Sequence, residues 1–336
     1  MGYVLGGVTF NIKGADNNVK ESVCIMFELA QRSALDGDLS FWVHEIQSSN
    51  PSELESVLPP WAVDKALSQP PSSDVYLYYG DSSDVISVAV DDSCVFCCYH
   101  HPMDKILRYV LYKKKYGRIR LSVSSVIVPT LSELFFCKSR VLFHAASLYI
   151  PESDIGIMIA ADSGGGKTTT TLSLLRNAAR MCSDDLTLVE LGQDDTWNMS
   201  GLPERMNLTE NTIQFFPELD AVKNDTAPNF YSKKYPVLIS DVYGNGCMIQ
   251  NCRLDLIYFI SIQGDTPSVA PIRPSEGFGR LLKASTFAIK QKLSEDRASK
   301  LFSILHSVKI FKLNSGADPD QLGKWLIENS KKHLSS

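Results

Sequence analysis

The 336-residue sequence lacks long apolar runs and concentrated charge. It has no uninterrupted apolar run of about 18 residues and no basic, apolar stretch at its N-terminus, which a membrane-spanning helix and a secretory signal would need. We therefore expect a soluble, cytoplasmic protein with no membrane partner. No block of five or more like charges occurs, and the formal net charge is -5. Because nucleic-acid binders concentrate positive charge, we also expect no nucleic-acid partner.

The eight cysteines lack the two separated ligand pairs typical of a zinc site. Three of them cluster at Cys94, Cys97 and Cys98, with His100 and His101 close behind. The residues around them alternate as in a strand, which would turn Cys97 and Cys98 to opposite faces. We favour reduced cysteines in the core over a metal site.

A glycine-rich stretch, AADSGGGKTTTT, covers residues 160–171. It fits the phosphate-loop pattern G-x-x-x-x-G-K-[ST], except that Ala161 replaces the first glycine. The apolar run at 155–160 predicts a buried strand before it, and the apolar spacing at 169–180 predicts a helix after it. A phosphate loop functions in that setting, so we favour a phosphate cradle over a hairpin tip. The predicted ATP-binding residues are Asp162, Ser163, Gly164, Gly165, Gly166, Lys167, Thr168 and Thr169.

Two acids and a histidine complete a candidate catalytic group. Asp184 and Asp185 stand between two short predicted strands, and the returning strand would bring them toward the phosphate loop. One acid could face a metal ion and the other an acceptor, although an Asp-rich turn is the simpler alternative. His144 lies in an apolar strand that a predicted hairpin places beside the loop strand. A lone histidine there is also compatible with a hydrogen-bonded core residue.

These segments together resemble a known family. H-A-A at 144–146, A-D-S-G-G-G-K-T at 161–168 and S-D-D-L-T-L-V at 183–189 resemble the catalytic domain of HPr kinase/phosphorylase and its HPr-kinase-like relatives. That family is related in fold to phosphoenolpyruvate carboxykinase. The match extends more weakly through 201–208, 253–259 and the C-terminal helix, so it covers roughly residues 130–330.

The resemblance implies an ATP- and Mg²⁺-dependent kinase with serine-type hydroxyl acceptors. It implies that Asp185 accepts the proton, that Lys167 and His144 assist at the transferred phosphate, and that Thr168 and Asp184 hold Mg²⁺. The family segment E-x-R-G-x-G is absent, so neither the phosphorylase reaction nor HPr as acceptor is implied. Glu204 and Arg205 could substitute for it, or form an exposed ion pair. Arg273 could bind an anion, or be a structural salt-bridged arginine.

The organisation along the chain predicts an α/β protein in two parts. Residues 1–129 would form an α+β module for acceptor or partner recognition, and residues 130–336 a mixed-sheet P-loop kinase domain of the HPr kinase or phosphoenolpyruvate carboxykinase type. Apolar runs at 75–79, 85–90 and 94–99 predict an antiparallel meander. Apolar spacing predicts helices over 104–116 and 131–138, and alternation predicts a strand over 140–150 that returns through a turn at 151–154.

We favour a kinase for a hydroxyl group on a small molecule, peptide or protein, and we allow for a homo-oligomer. The alternative from a different class is a nucleotide-responsive binding or scaffold protein without turnover. A GTPase or a transport ATPase is disfavoured, since the strings Asn-Lys-x-Asp and Leu-Ser-Gly-Gly-Gln are both missing. A carboxykinase is disfavoured because no Lys and His metal-ligand cluster is visible.

Overall fold

The computed structural model describes residues 2–5, 8–14, 31–33, 39–47, 50–72, 74–81, 84–90, 94–101, 106–113, 123–202, 205–228 and 233–335. Within these ranges, no helix is both long enough and apolar enough to cross a membrane. The chain divides into two compact units. The first contains Met1–Ser139 and Thr286–Leu293, and the second contains Arg140–Ser285 and Ser294–Ser336.

The first unit is built on a mixed sheet. Its described elements are β1 (Gly2–Leu5), β2 (Val8–Gly14), β3 (Gln31–Ser33), β4 (Leu39–Gln47), a 3₁₀ helix (Pro51–Ser56), α1 (Pro60–Ser68), β5 (Tyr76–Tyr79), β6 (Val85–Val90), β7 (Cys94–His100), β8 (Ile106–Lys113) and α2 (Val123–Cys137). The strand order is β3-β1-β2-β4-β8-β7-β6-β5. β4 runs parallel to β2 and β8, whereas the other pairs are antiparallel.

The predicted meander is confirmed, because β5, β6 and β7 pair antiparallel in sequence order. The predicted helix over 104–116 is wrong where the structure describes it: residues 106–113 form β8, between β4 and β7. Leu107, Val110 and Leu111 are buried there. A strand buried on both faces shows no polar alternation, and its apolar residues can fall at helical spacing by chance.

The helix predicted at 131–138 is longer than expected. It begins at Val123 and continues through Pro129 to Cys137. Buried side chains lie on both sides of the proline, including Ile127 and Leu131. Their packing offsets the lost hydrogen bond, which costs about 3 kcal/mol in a helix interior.

The cysteines around the meander are buried in the strand β7. Cys97 belongs to the hydrophobic cluster that includes Ala62 of α1, whereas the thiol of Cys98 contacts Thr130 of α2. The two neighbours therefore face opposite sides of the sheet, as predicted. Burial raises the pKa of both thiols, that of Cys98 to about 12, so neither is a reactive thiolate at neutral pH.

The second unit has a larger mixed sheet. Its described elements are β9 (Arg140–Ile150), β10 (Ile155–Ala161), α3 (Lys167–Arg176), β11 (Arg180–Ser183), β12 (Leu186–Leu191), β13 (Trp197–Gly201), β14 (Met206–Leu208), α4 (Glu210–Gln214), α5 (Asp220–Asp225), β15 (Tyr235–Val237), α6 (Ile239–Tyr243), β16 (Asn251–Arg253), β17 (Leu256–Ser261), β18 (Ser268–Pro271), α7 (Pro274–Ala284), α8 (Glu295–Ser307), β19 (Lys309–Asn314) and α9 (Pro319–Ser335). The order in the main sheet is β16-β13-β12-β9-β10-β17-β19-β18, and β11 also pairs with β9.

The predicted strand at 140–150 and its hairpin are confirmed. β9 pairs antiparallel with β10 from Ile150–Ile155 to Ala145–Ala160, and β10 pairs parallel with β17 on its other edge. The loop strand therefore has an antiparallel neighbour on one edge and a parallel neighbour on the other. These features confirm the mixed α/β fold class.

The helix predicted over 169–180 is displaced. α3 starts at Lys167 and ends at Arg176, and Ala178 follows with a φ of 62°. Residues 180–183 are β11 instead of helix. Ala179, which lies within the predicted helix span but outside α3, is buried in the core, in a cluster with Leu174 of α3.

Candidate active site

A glycine-rich loop joins β10 to α3. The amide of Gly165 donates a hydrogen bond to the carbonyl of Asp162 at 2.8 Å, which closes a tight turn. Gly164 and Gly166 have φ values of 75° and 94°, a backbone region that side chains disfavour. Ala161, in the position of the missing glycine, still belongs to β10. Extended backbone there accepts an alanine, so the departure from the motif does not alter the loop.

The loop ends at a helix N-terminus. Gly166 is the N-cap of α3, and this residue supplies no side-chain hydrogen bond to the helix N-terminus. The first turn of an α-helix has N–H groups without an acceptor inside the helix, and they carry partial positive charge. The strand, loop and helix together form the type of site that binds phosphate.

Thr168 and Asp184 form a pair suited to a divalent cation. The hydroxyl of Thr168 donates to Oδ2 of Asp184 at 3.0 Å. Asp184 is 6% exposed, and its Oδ1 is buried with no hydrogen-bond partner among the described residues. An unpartnered carboxylate oxygen beside a hydroxyl provides oxygen ligands of the kind that Mg²⁺ prefers. The described residues contain no group of three His, Cys, Asp or Glu side chains that could hold a metal.

Two basic side chains lie close to the same carboxylate oxygen of Asp185. Nζ of Lys167 lies 2.6 Å from Oδ1 of Asp185, and Nδ1 of His144 lies 3.2 Å from it. Lys167 is only 9% exposed and also donates to the carbonyl of Asp184 at 2.5 Å. Asp185 is 45% exposed. The carboxylate is therefore fixed from the protein side and remains accessible from the cleft.

The backbone sets the spacing between the histidine and the acid. His144 pairs with Leu186 where β12 begins, and the amide of Ala145 donates to the carbonyl of Asp185 at 2.9 Å. The hydroxyl of Thr187 donates to the carbonyl of Ala145 at 2.8 Å. The β9 ladder thus places both side chains beside the loop.

Charge and burial separate the pKa values of these groups. Burial raises the pKa of Asp184, with Lys167 acting in the opposite direction. Desolvation also raises the pKa of Asp185, but the positive charges of Lys167 and Lys234 and the contact with His144 outweigh it, so the pKa lies below its ordinary value. Desolvation lowers the pKa of His144 by more than the Asp185 carboxylate raises it. At neutral pH, Asp185 is therefore ionised and His144 is a neutral imidazole.

The loop and the acid open onto a cleft of about 780 Å³. Among the described residues, its lining contains all the predicted ATP-binding residues from Asp162 to Thr169, as well as His144 and Asp185. Asp162 also forms an exposed ion pair with Lys283 at 2.6 Å. The sequence singled out none of the remaining lining residues individually, although the loops around 201–235 were expected to shape acceptor choice; these residues are Asn207, Thr209, Asn211, Thr212, Gln214, Phe215, Lys234 and Ile262.

The three peripheral residues predicted for phosphate or acceptor binding lie outside this lining or outside the described residues. Glu204 is outside the described residues. Arg205 lies just before β14, and Arg273 is the N-cap of α7. Neither arginine is among the described residues that line the cleft.

Comparisons with known proteins identify no family for this chain from its sequence. No protein-family model matches the chain, and no curated protein matches it. Among solved structures, the HPr(Ser) kinase/phosphatase from Coxiella burnetii matches with 9% identity and a TM-score of 0.32, over 58% of this chain and 99% of its own. A TM-score this low carries no conclusion about fold or activity.

Proposed function

We propose that this protein is an ATP- and Mg²⁺-dependent kinase that transfers the γ-phosphate to a hydroxyl group of its acceptor. The observation that carries the proposal is the convergence of Lys167 and His144 on one oxygen of Asp185, beside a glycine-rich loop and the N-terminus of α3. The motif resemblance to HPr-kinase-like proteins supports the same activity and a serine-type acceptor.

Each group of this chain has a task in binding the donor. The amides of the loop and of the first turn of α3 would bind phosphate oxygens. Lys167 is held next to the loop by Asp185, so its ammonium group could move to the outer phosphates with little rearrangement. Thr168 and Asp184 would hold Mg²⁺. The buried Oδ1 of Asp184 has no hydrogen bond among the described residues and could bind the ion directly. When bound, the ion supplies positive charge that neutralises the phosphates.

The transfer step needs a base beside the acceptor. Oδ2 of Asp185 would take the proton of the acceptor hydroxyl while the hydroxyl oxygen forms its bond to the γ-phosphorus. The bond from that phosphorus to the bridging oxygen breaks, and ADP leaves. Lys167 would stabilise the phosphate charge, and His144, whose Nδ1 lies 3.2 Å from Oδ1, would help to orient the carboxylate.

The test is transfer of label from γ-labelled ATP to free serine, a small-metabolite extract, and a peptide and protein extract. Wild type should label one fraction only when Mg²⁺ is present, and Asp185→Asn should not label it. A labelled product that forms equally with Asp185→Asn would reject this mechanism.

A binding experiment separates the kinase from a nucleotide-responsive binding protein. ATP affinity is measured by calorimetry for wild type and for Lys167→Met. ATP binding that depends on Lys167, without label in any fraction, would favour the binding protein. Absence of ATP binding by wild type would reject both functions.

A further inference from the structure

The two acids of the site lie alongside the strand β9. β11 and β12 both pair antiparallel with β9, with Ser183 opposite Ser147 and Leu186 opposite His144. On each side, two residues separate these pairs, so the segment Asp184–Asp185 bridges β11 and β12 without a change of register. The acids therefore follow the edge of β9 instead of forming a projecting turn.

A β-bulge sets the position of the acids along β9. The register of β11 shifts by one residue at Cys182, and an extra residue in one strand re-aims the residues that follow it. Without that shift, Asp185 would stand opposite His144. With it, Leu186 takes that place, and the carbonyl of Asp185 accepts from the amide of Ala145 at 2.9 Å. The bulge thus determines which residue of β9 each acid faces.

The hydroxyl of Ser183 holds the backbone of this segment. Its Oγ accepts from the amide of Asp185 at 3.2 Å and from the amide of Leu186 at 3.0 Å. Ser183 is 2% exposed, so its side chain is shielded from water. A serine oxygen that accepts from amides two and three residues ahead stabilises a local bend in the backbone.

The carboxylates on this bend have different partners. That of Asp184 accepts from Thr168 at 3.0 Å, whereas that of Asp185 accepts from Lys167 at 2.6 Å. Nζ of Lys167 also donates to the carbonyl of Asp184 at 2.5 Å. Because the two acids are adjacent in sequence, a shift of their shared backbone would move both carboxylates. The bonds from the two amides to Ser183 restrain that backbone without engaging either carboxylate.

We propose that Ser183 is a positioning residue, whose hydroxyl holds the Asp184–Asp185 backbone so that one acid stays beside Thr168 and the other beside Lys167. This inference rests on the proposed kinase activity and adds a residue that acts on transfer only through the two acids. Ser183→Ala removes the acceptor of two amides and lets the segment shift. A displacement of about 1 Å in a catalytic group can lower the rate by about a hundredfold.

Hydrogen exchange tests the restraint in the nucleotide-free protein. The measured quantity is the exchange rate of the Asp185 amide divided by that of the amides of β10, which is paired on both edges and reports opening of the sheet. In Ser183→Ala, this ratio should rise at least about tenfold, since the amide loses a buried hydrogen bond. An unchanged ratio would overturn the inference.

Ser147→Ala is the matched control for exchange. Ser147 is also buried, and its hydroxyl accepts from Thr187 at 2.9 Å. Its removal deletes a comparable hydrogen bond from the same sheet, so urea midpoints should fall in both variants while the exchange ratio at Asp185 rises only in Ser183→Ala. An equal rise in both variants would show general loosening of the sheet and contradict a specific role for Ser183.

Kinetics test the effect on transfer. Ser183→Ala should lower kcat by about tenfold to a hundredfold, and it should raise the Mg²⁺ concentration at half-maximal activity by about tenfold. Ser147→Ala should change neither quantity by more than about twofold. Ser183→Thr keeps the acceptor oxygen and should recover most of both losses. A folded Ser183→Thr as impaired as Ser183→Ala would show that the hydroxyl is not responsible.

The two experiments also separate this inference from the function on which it rests. If wild type transfers label but Ser183→Ala has normal kcat and Mg²⁺ dependence, the positioning role is rejected and the kinase stands. If wild type transfers no label, the kinase is rejected and the role of Ser183 in transfer with it. The exchange ratio then still decides whether Ser183 restrains the acids.

Discussion

Nδ1 of His144 lies 3.2 Å from Oδ1 of Asp185, the same oxygen that Lys167 contacts at 2.6 Å. The hydrogen bond from Lys167 favours one orientation of the carboxylate, in which Oδ1 faces both Lys167 and His144. The second oxygen, Oδ2, then has a defined direction. In the proposed kinase, this geometry makes Asp185 the proton acceptor and His144 a positioning residue, and the two roles lead to different kinetic expectations.

Asp185→Asn should lower kcat by about 10²-fold to 10⁴-fold, the range expected when a general base is removed. ATP affinity should change little, because the amide still accepts from Lys167 through its oxygen. The measurement is steady-state kinetics with the labelled acceptor, combined with calorimetry for ATP. If Asp185→Asn lost both ATP affinity and kcat, Asp185 would instead contribute to ATP binding.

His144→Ala should lower kcat by a smaller factor, about tenfold to a hundredfold, because the carboxylate loses the neighbouring imidazole but keeps its charge and its hydrogen bond from Lys167. His144→Asn places an amide N–H near the former Nδ1 and should recover part of the loss. A purely structural histidine would give variants that differ in urea midpoint and not in kcat, and this outcome would remove His144 from the site.

In the proposed kinase, Thr168→Ala should weaken Mg²⁺ binding, since it removes the proposed hydroxyl ligand and the hydrogen bond from Thr168 to Asp184. We expect the Mg²⁺ concentration at half-maximal activity to rise by about tenfold to a hundredfold, as when a ligand or its hydrogen-bond partner is lost. Thr168→Ser keeps the hydroxyl and is the matched control. Equal Mg²⁺ dependence in the alanine and serine variants would contradict the assignment of Thr168 to the metal.

Gly323→Ala should destabilise the second unit, because a Cβ at this position of α9 would lie 2.2 Å from the carbonyl oxygen of Ser173 in α3. Forcing apart two packed helices typically costs about 1–3 kcal/mol. Gly279→Ala, inside α7 and with nothing within 4 Å of the added Cβ, is the control and should be neutral or stabilising by up to about 1 kcal/mol. Urea unfolding measures both free energies, and equal effects would show that α3 and α9 are not packed this closely.

The ion pair at the end of α3 gives a pH-dependent contribution to stability. Arg176 forms two hydrogen bonds to Glu218, at 2.9 Å and 2.6 Å, and the hydroxyl of Tyr243 donates to the same carboxylate at 2.6 Å. Desolvation raises the pKa of Glu218, but these donors outweigh it, so the pKa lies below its ordinary value. The resulting stabilisation is present above the ordinary glutamate pKa and is lost as the pH falls through the lowered folded-state pKa.

Glu218→Gln should therefore cost up to about 1 kcal/mol at pH 7, a modest value because the pair is partly exposed. The difference from wild type should shrink as the pH is lowered toward and below about 4. Urea unfolding of both proteins across this range measures it. A difference that stays constant with pH would show that the carboxylate charge contributes nothing.

Local signals allowed much of the loop region to be predicted. The apolar run before the glycines, the turn at 151–154 and the alternation at 140–150 correspond to β10, the hairpin turn and β9. Each signal involves only residues that are close in sequence. Asp184 and Asp185 could be placed between two strands for the same reason.

Non-local pairing explains what the sequence did not reveal. Lys234 reaches the cleft because β15 pairs with β14, and no short motif marks either strand. Ile262 lines the cleft because β17 pairs parallel with β10 and ends next to the loop. The wrong helix prediction at β8 has the same origin. Its partner strands β4 and β7 determine its burial on both faces, and the spacing of apolar residues alone cannot reveal such neighbours.

β9 is hydrogen-bonded along both edges near the site, since Ala145 pairs with Ala160 of β10 and its amide donates to the carbonyl of Asp185. An amide in such a strand exchanges its hydrogen for deuterium only when the sheet opens, by local or global unfolding. The exchange rate of the Ala145 amide hydrogen would thus report how often the backbone pairing that separates His144 from Asp185 opens. In a folded molecule that interval is far longer than side-chain rotations, so the backbone positions of His144 and Asp185 stay fixed relative to each other between openings.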